Sequence, residues 1–149
     1  MYNFWQFIHV LSAVVWVGSA ALSVFLSLRL SGMRDDPIAG PASGLMEKTS
    51  VPIFILSSLG TLISGVILAI GWVGFEPLWI KIGLVGVVIS IIVGIAYFKP
   101  HAERLEGAIQ ASGPNDPGVR SMVQQAQIVS IADLVVLAFV IWAMVVKPA

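Results

Sequence analysis

The sequence predicts an all-α integral membrane protein: a four-helix antiparallel bundle with a cytoplasmic helical extension of the third helix. Three observations lead there. The chain of 149 residues is 58% hydrophobic and only 11% charged, and its mean hydropathy is +0.96, which leaves too little polar side chain to cover a water-soluble domain. Its apolar residues are gathered into four long runs, at about 4–30, 51–70, 78–98 and 128–146. Runs of this kind have the length of a membrane span, because about 20 residues at about 1.5 Å rise cross the hydrocarbon. Between the runs stand Gly, Pro and Asp punctuation marks, and no other domain is legible, so residues 1–149 read as a single transmembrane domain.

The first span opens directly on "NFWQFIHVLSAVV". No basic residue precedes it, it is long, and no small-residue cleavage site follows, so it reads as a retained span and not as a cleaved leader. "SGMRDDPIAGPASG" then forms a loop, in which Asp36-Pro37 has the look of a helix N-cap followed by proline at the first helical position. The second span starts with Pro52 just inside it, a position that predicts a kink. "GWVGFEP" is short, which makes spans two and three antiparallel neighbours.

The third span continues into "KPHAERLEGAIQASGP", where Leu105, Ala108 and Ile109 fall at i, i+3 and i+4, the spacing of an amphipathic helix beyond the hydrocarbon. Gly113-Pro114 stops that stalk and Asp116-Pro117 caps the last helix, which starts polar and turns apolar at Ile128.

Orientation follows from basic residues. Arg29, Arg34, Lys48, Lys99, Arg104 and Arg120 share one side; only Lys81 and Lys147 fall on the other. The positive-inside rule makes the first side cytoplasmic and sets both termini outside, in a bacterial inner membrane. Trp5, Trp72, Trp79 and Trp142 fall at the outer interface, as an aromatic belt does. Small residues at four-residue spacing (Gly86, Ser90 and Gly94; Gly60 and Ser64; Ser19, Ser23 and Ser27) predict closely approaching helices. The lack of cysteine excludes disulfides and thiolate chemistry, and zero net charge argues against a nucleic-acid partner. The expected partners are the lipid bilayer and either further copies of the chain or a larger membrane complex.

Three polar side chains and a methionine, inside or at the rim of the spans, are the candidate site. Asp133 lies roughly 20 Å from the outer end of its span. A lone carboxylate there costs about 2.5–3.5 kcal/mol, so it faces the bundle and is protonated or paired. Ser121, Gln124, Gln127, Ser130 and Asp133 form an i+3 series leading to it, and Ser57, Thr61 and Ser64 of span two are its expected partners. Asp133 serves either as packing glue between helices or as a proton relay or substrate contact.

His9, about 8 Å inside the outer end of span one, shares a face with Ser12, Trp16, Ser19 and Ser23 and is expected to point inward. It is either an interfacial hydrogen-bonding residue or an axial ligand to haem or a metal. Lys81, about 5 Å into span three, either snorkels to the headgroups or pairs with Glu76 or a propionate, phosphate or carboxylate near His9. Met144 has the depth of a second axial ligand and is otherwise core filler. His101, at the opposite face, is expected to be solvated on the stalk. Asp133 and Lys81 are the candidate catalytic residues.

"FWQFIHVLSAVVWVGSA", "PLWIKIGLV" and the terminal "MVVKP" together resemble a family of small bacterial four-span membrane proteins of unknown function. That family is allied to the membrane domain of the copper-resistance protein CopD and to HemJ-type protoporphyrinogen oxidase. The resemblance runs along essentially the whole chain. It implies haem b held by the early histidine, here His9, and a functional lysine after tryptophan in span three, here Lys81. Trp79-Ile80-Lys81 is more closely spaced than the corresponding phrase of the HemJ-like chains and lacks a histidine common between its two ends. Three functions therefore stand side by side: a haem-binding redox protein, an accessory or structural membrane subunit, and a small permeation module for protons, metal ions or solutes. No motif for hydrolysis, phosphoryl transfer or nucleotide binding is present.

Overall fold

The computed structural model describes residues 1–32, 39–113 and 116–148, with side chains outside 30–51. The regular structure among the described residues is helical throughout: α1 (Tyr2–Gly32), α2 (Ala39–Leu68), α3 (Leu78–Val93), α4 (Lys99–Ser112) and α5 (Pro117–Val146). α3 and α4 form one rod, so four rods are long and apolar enough to cross a membrane: Tyr2–Arg29, Pro52–Val73, Leu78–Ser112 and Pro117–Val146. The expected four-span, all-α bundle is what the chain adopts.

Each end has a local cause. α2 closes in a π-helical turn, Ala69–Val73, and Gly74 (φ 81°) then takes the left-handed conformation that a side chain would strain. A second π-helical turn, Gly94–Phe98, joins α3 to α4. Pro100 lies just beyond it, and its ring and missing N–H disrupt the ladder at the preceding turn, which the wider turn accommodates. Gly113 (φ 82°) ends α4. Asp116 caps α5 as the sequence predicts: its Oδ1 accepts from the N–H groups of Gly118 (2.8 Å) and Val119 (3.4 Å), with Pro117 following it. α5 ends at Lys147 in the left-handed region (φ 52°), before Pro148.

Two helices start before their apolar runs: α2 begins at Ala39, and α5 is helical from Pro117, as its cap predicts, although its apolar run starts at Ile128. A helix need not stop where the hydrocarbon stops, because its backbone bonds are internal in either medium. Pro52 lies within α2, which continues through it. Asp36-Pro37 falls outside the described residues.

The bundle is two tight pairs, α1 with α2 and α3 with α5. α1 also packs on α5, and a sparse α2–α3 contact closes the ring. Pair register is antiparallel: Ser12 lies against Gly60 and His9 against Gly65, while Gly83 lies against Met144 and Gly86 against Val140. A Cβ on Gly86 would overlap Val140, and one on Gly60 would come within 2.7 Å of the Ser12 hydroxyl, so these glycines set the helix spacing. Trp16, Val87 and Leu137 form the centre, with Phe54 edge-on to Trp16 at 5.8 Å.

Buried polar side chains are Ser57, Ser58, Thr61, Ser64, Ser90 and Asp133, whereas Leu56 (76% exposed), Ile70 (72%) and Val145 (75%) face outward. This distribution suits lipid as the surrounding medium and would not be tolerated over so much surface in water. Aromatics gather at the end carrying both termini: Tyr2 meets Trp72 edge-on, Phe139 stacks on Trp142, and the Lys147 ammonium sits over Trp79.

Candidate functional site

His9 is on the α1–α2 seam, pointing inward as expected. Its Nδ1 lies 2.9 Å from the Thr61 carbonyl oxygen and 3.3 Å from Ser64 Oγ. A carbonyl can only accept, so Nδ1 carries the proton and donates. The Thr61 oxygen has a second lone pair for this bond beyond its place in the helix ladder. Nε2 is then the basic nitrogen, and it has no partner among the described residues. The imidazole lies over Gly65, where an added Cβ would come within 3.0 Å of Cε1. Ser64 in turn donates to the Gly60 carbonyl at 2.5 Å.

Asp133 is on the α3–α5 seam. Ser90 Oγ donates to its Oδ2 at 2.8 Å, and both side chains are buried. The partner is therefore Ser90 of span three and not Ser57, Thr61 or Ser64. Those three hydroxyls donate back to carbonyls of their own helix, at 2.6, 2.8 and 2.5 Å, and they lie on a rod that packs on α1 rather than on α5. A depth count finds the correct pair: Ser90 stands 12 residues from Leu78 and Asp133 stands 13 from Val146, so both lie about 20 Å from the same end. Asp133 Oδ1 and Trp16 Nε1 are buried with no hydrogen-bond partner among the described residues, an acceptor and a donor at comparable depth.

The i+3 series on α5 is buried progressively. Ser121 and Gln124 are exposed, Gln127 and Ser130 are half-buried, and Asp133 is buried. Gln127 Nε2 donates to the Ser27 carbonyl at 3.2 Å and ties α5 to α1. His101 differs from expectation. It is half-buried, stacked on Tyr97 at 5.1 Å, with Nε2 at 2.9 Å from the Met122 carbonyl. It fastens α4 to α5, because an amphipathic helix beside the start of α5 offers it a covered place.

Lys81 and Met144 stand on the α3–α5 side. Met144 sets its methyl against Gly83, and Lys81 is exposed at one end of an outward-facing groove between α3 and α5. Lys81 has no ion pair with Glu76 or any other described residue. His9 is thus on one seam and Met144 and Lys81 are on another. Among the described residues no three His, Asp or Glu side chains converge, so a bare ion with three such ligands has no site there. What the α1–α2 seam presents is a single imidazole with an anchored Nδ1. The missed residues are Ser90, which the small-residue pattern offered only as a packing position, and Gly65, which had no signal apart from its place four residues after Thr61.

No family model, curated protein or solved structure matches the chain.

Proposed function

We propose that the chain is a redox protein of the bacterial inner membrane that binds haem b through His9, with both termini outside. The observation that carries this reading is the bond from His9 Nδ1 to the Thr61 carbonyl. Such an outer bond fixes the tautomer, orients the ring and raises the basicity of the opposite nitrogen, which is what ligand histidines generally have. Bound haem would supply one-electron chemistry at its iron. His9 Nε2 would hold it, Thr61 and Ser64 would orient the ring, and Gly65 would leave room for it. The resemblance to the CopD and HemJ group supports the same assignment. Met144 and Lys81 belong to the other seam in this reading and are not required at the His9 ligand position. Protein purified from haem-replete cells will show a Soret band, and His9→Ala will remove it while the fold, followed by circular dichroism, persists. A colourless wild-type preparation would end the proposal.

The accessory-subunit reading has one observation of its own. His9 and Asp133 each bond across a helix seam, so both act as interhelical ties whatever else they do. On that reading His9→Gln and Asp133→Asn lower stability only, and the chain co-purifies with a larger complex.

A further inference from the structure

The groove beside Lys81 has a shape and polarity that the haem reading does not use. It has a volume of about 360 Å³. One wall is Ile82, Val85 and Ile89 of α3, at i, i+3 and i+7; the other is Val136 and Phe139 of α5. Gly86 and Val140, which pack against each other, close its floor. Phe139 is stiffened from behind by its stack on Trp142, at 5.4 Å.

Lys81 is the one charged residue lining the groove and stands at its end nearer the termini. Its ammonium has no ion pair or hydrogen bond among the described residues. From Lys81 to Ile89 is eight residues of α3, or about 12 Å. Half the hydrocarbon thickness is about 15 Å. The groove therefore offers a cation at interface level and then apolar surface for about the depth of one leaflet.

We infer that this groove is a binding site for a single anionic phospholipid, with one acyl chain between α3 and α5 and the headgroup phosphate on the Lys81 ammonium. Charge complementarity selects the headgroup, since a lysine reaching the interface attracts an anionic lipid by about 1 kcal/mol, a preference of about five-fold. The site is independent of whether His9 carries haem.

Native mass spectrometry of the delipidated protein in detergent tests it, by titration with dioleoylphosphatidylglycerol or dioleoylphosphatidylcholine. Wild type retains the anionic lipid about five-fold better. Lys81→Gln brings the ratio close to one while both lipids still bind. Lys147→Gln, outside the groove, leaves the ratio as it is. Val85→Trp, which fills the groove from its exposed wall, reduces retention of both lipids at an unchanged melting temperature. Equal retention by wild type, a ratio insensitive to Lys81→Gln, or full retention by Val85→Trp would overturn the assignment. So would a change of oligomeric state in Val85→Trp without a change in lipid retention, because the groove would then belong to a second copy of the chain.

Discussion

Ser90 and Asp133 form a hydroxyl–carboxyl contact in a place where water is not at hand to replace a lost partner. Hydrogen bonds between membrane helices are worth about 0.6 kcal/mol on average, yet stranding a buried polar group costs about 1–3 kcal/mol. Ser90→Ala strands Oδ2 of a carboxyl whose Oδ1 is already without a partner. It is expected to destabilise the bundle by about 1–2 kcal/mol, measured by denaturant titration in mixed micelles. The double variant Ser90→Ala, Asp133→Leu removes both polar groups and recovers most of that loss. A double variant no better than the single one would mean that Asp133 has further work in the bundle.

At the scale of the helix pair, glycines decide how closely the rods approach, and the neighbour of each decides what an added methyl costs. Gly86 faces Val140, a stiff β-branched side chain, whereas Gly83 faces only the terminal methyl of Met144. Gly86→Ala should therefore cost about 1–3 kcal/mol, Gly83→Ala distinctly less, and Gly18→Ala nothing or a slight gain, because no atom lies within 4 Å of its added Cβ. Thermal unfolding of the three variants in one detergent gives the ranking, and an equal effect at Gly18 and Gly86 would contradict it.

Much of this scale could be read from the chain. The four apolar runs, the Asp116-Pro117 cap and the Gly113 stop follow from hydropathy and backbone chemistry, which are local. The partner of Asp133 was not legible in the same way. It depends on which rods are neighbours, and four greasy helices of similar length leave that choice to side-chain fit. His101 was misjudged for the same reason: its covering comes from Met122 and Tyr97, not from residues that mark it as buried. His9 was legible, because its face was already lined with serines.

At the scale of the whole molecule, the basic residues and the aromatic end make a claim about sidedness that is independent of any cofactor. The chain has no cysteine, so a single introduced thiol reports on one place. Glu76→Cys lies in the turn between the second and third spans, and Gln110→Cys lies on the exposed surface of α4. A membrane-impermeant maleimide applied to intact cells is expected to label the first and spare the second until the cells are opened. Reversed labelling would invert the topology and leave the fold untouched.

The rods are longer than the hydrocarbon they cross. The α3–α4 rod has 35 residues and α5 has 30, about 52 and 45 Å against a hydrocarbon of about 30 Å. Placed with its tryptophans at the headgroups, the bundle is expected to send the excess out at the other end, as a post standing about 15–20 Å clear of the bilayer. The molecule would then be nearly flush with one leaflet and raised above the other. A water-soluble protein arriving from the flush side would meet little but short turns, while one arriving from the raised side would find Glu103, Arg104, Glu106 and Arg120 held up to it on a rigid mount.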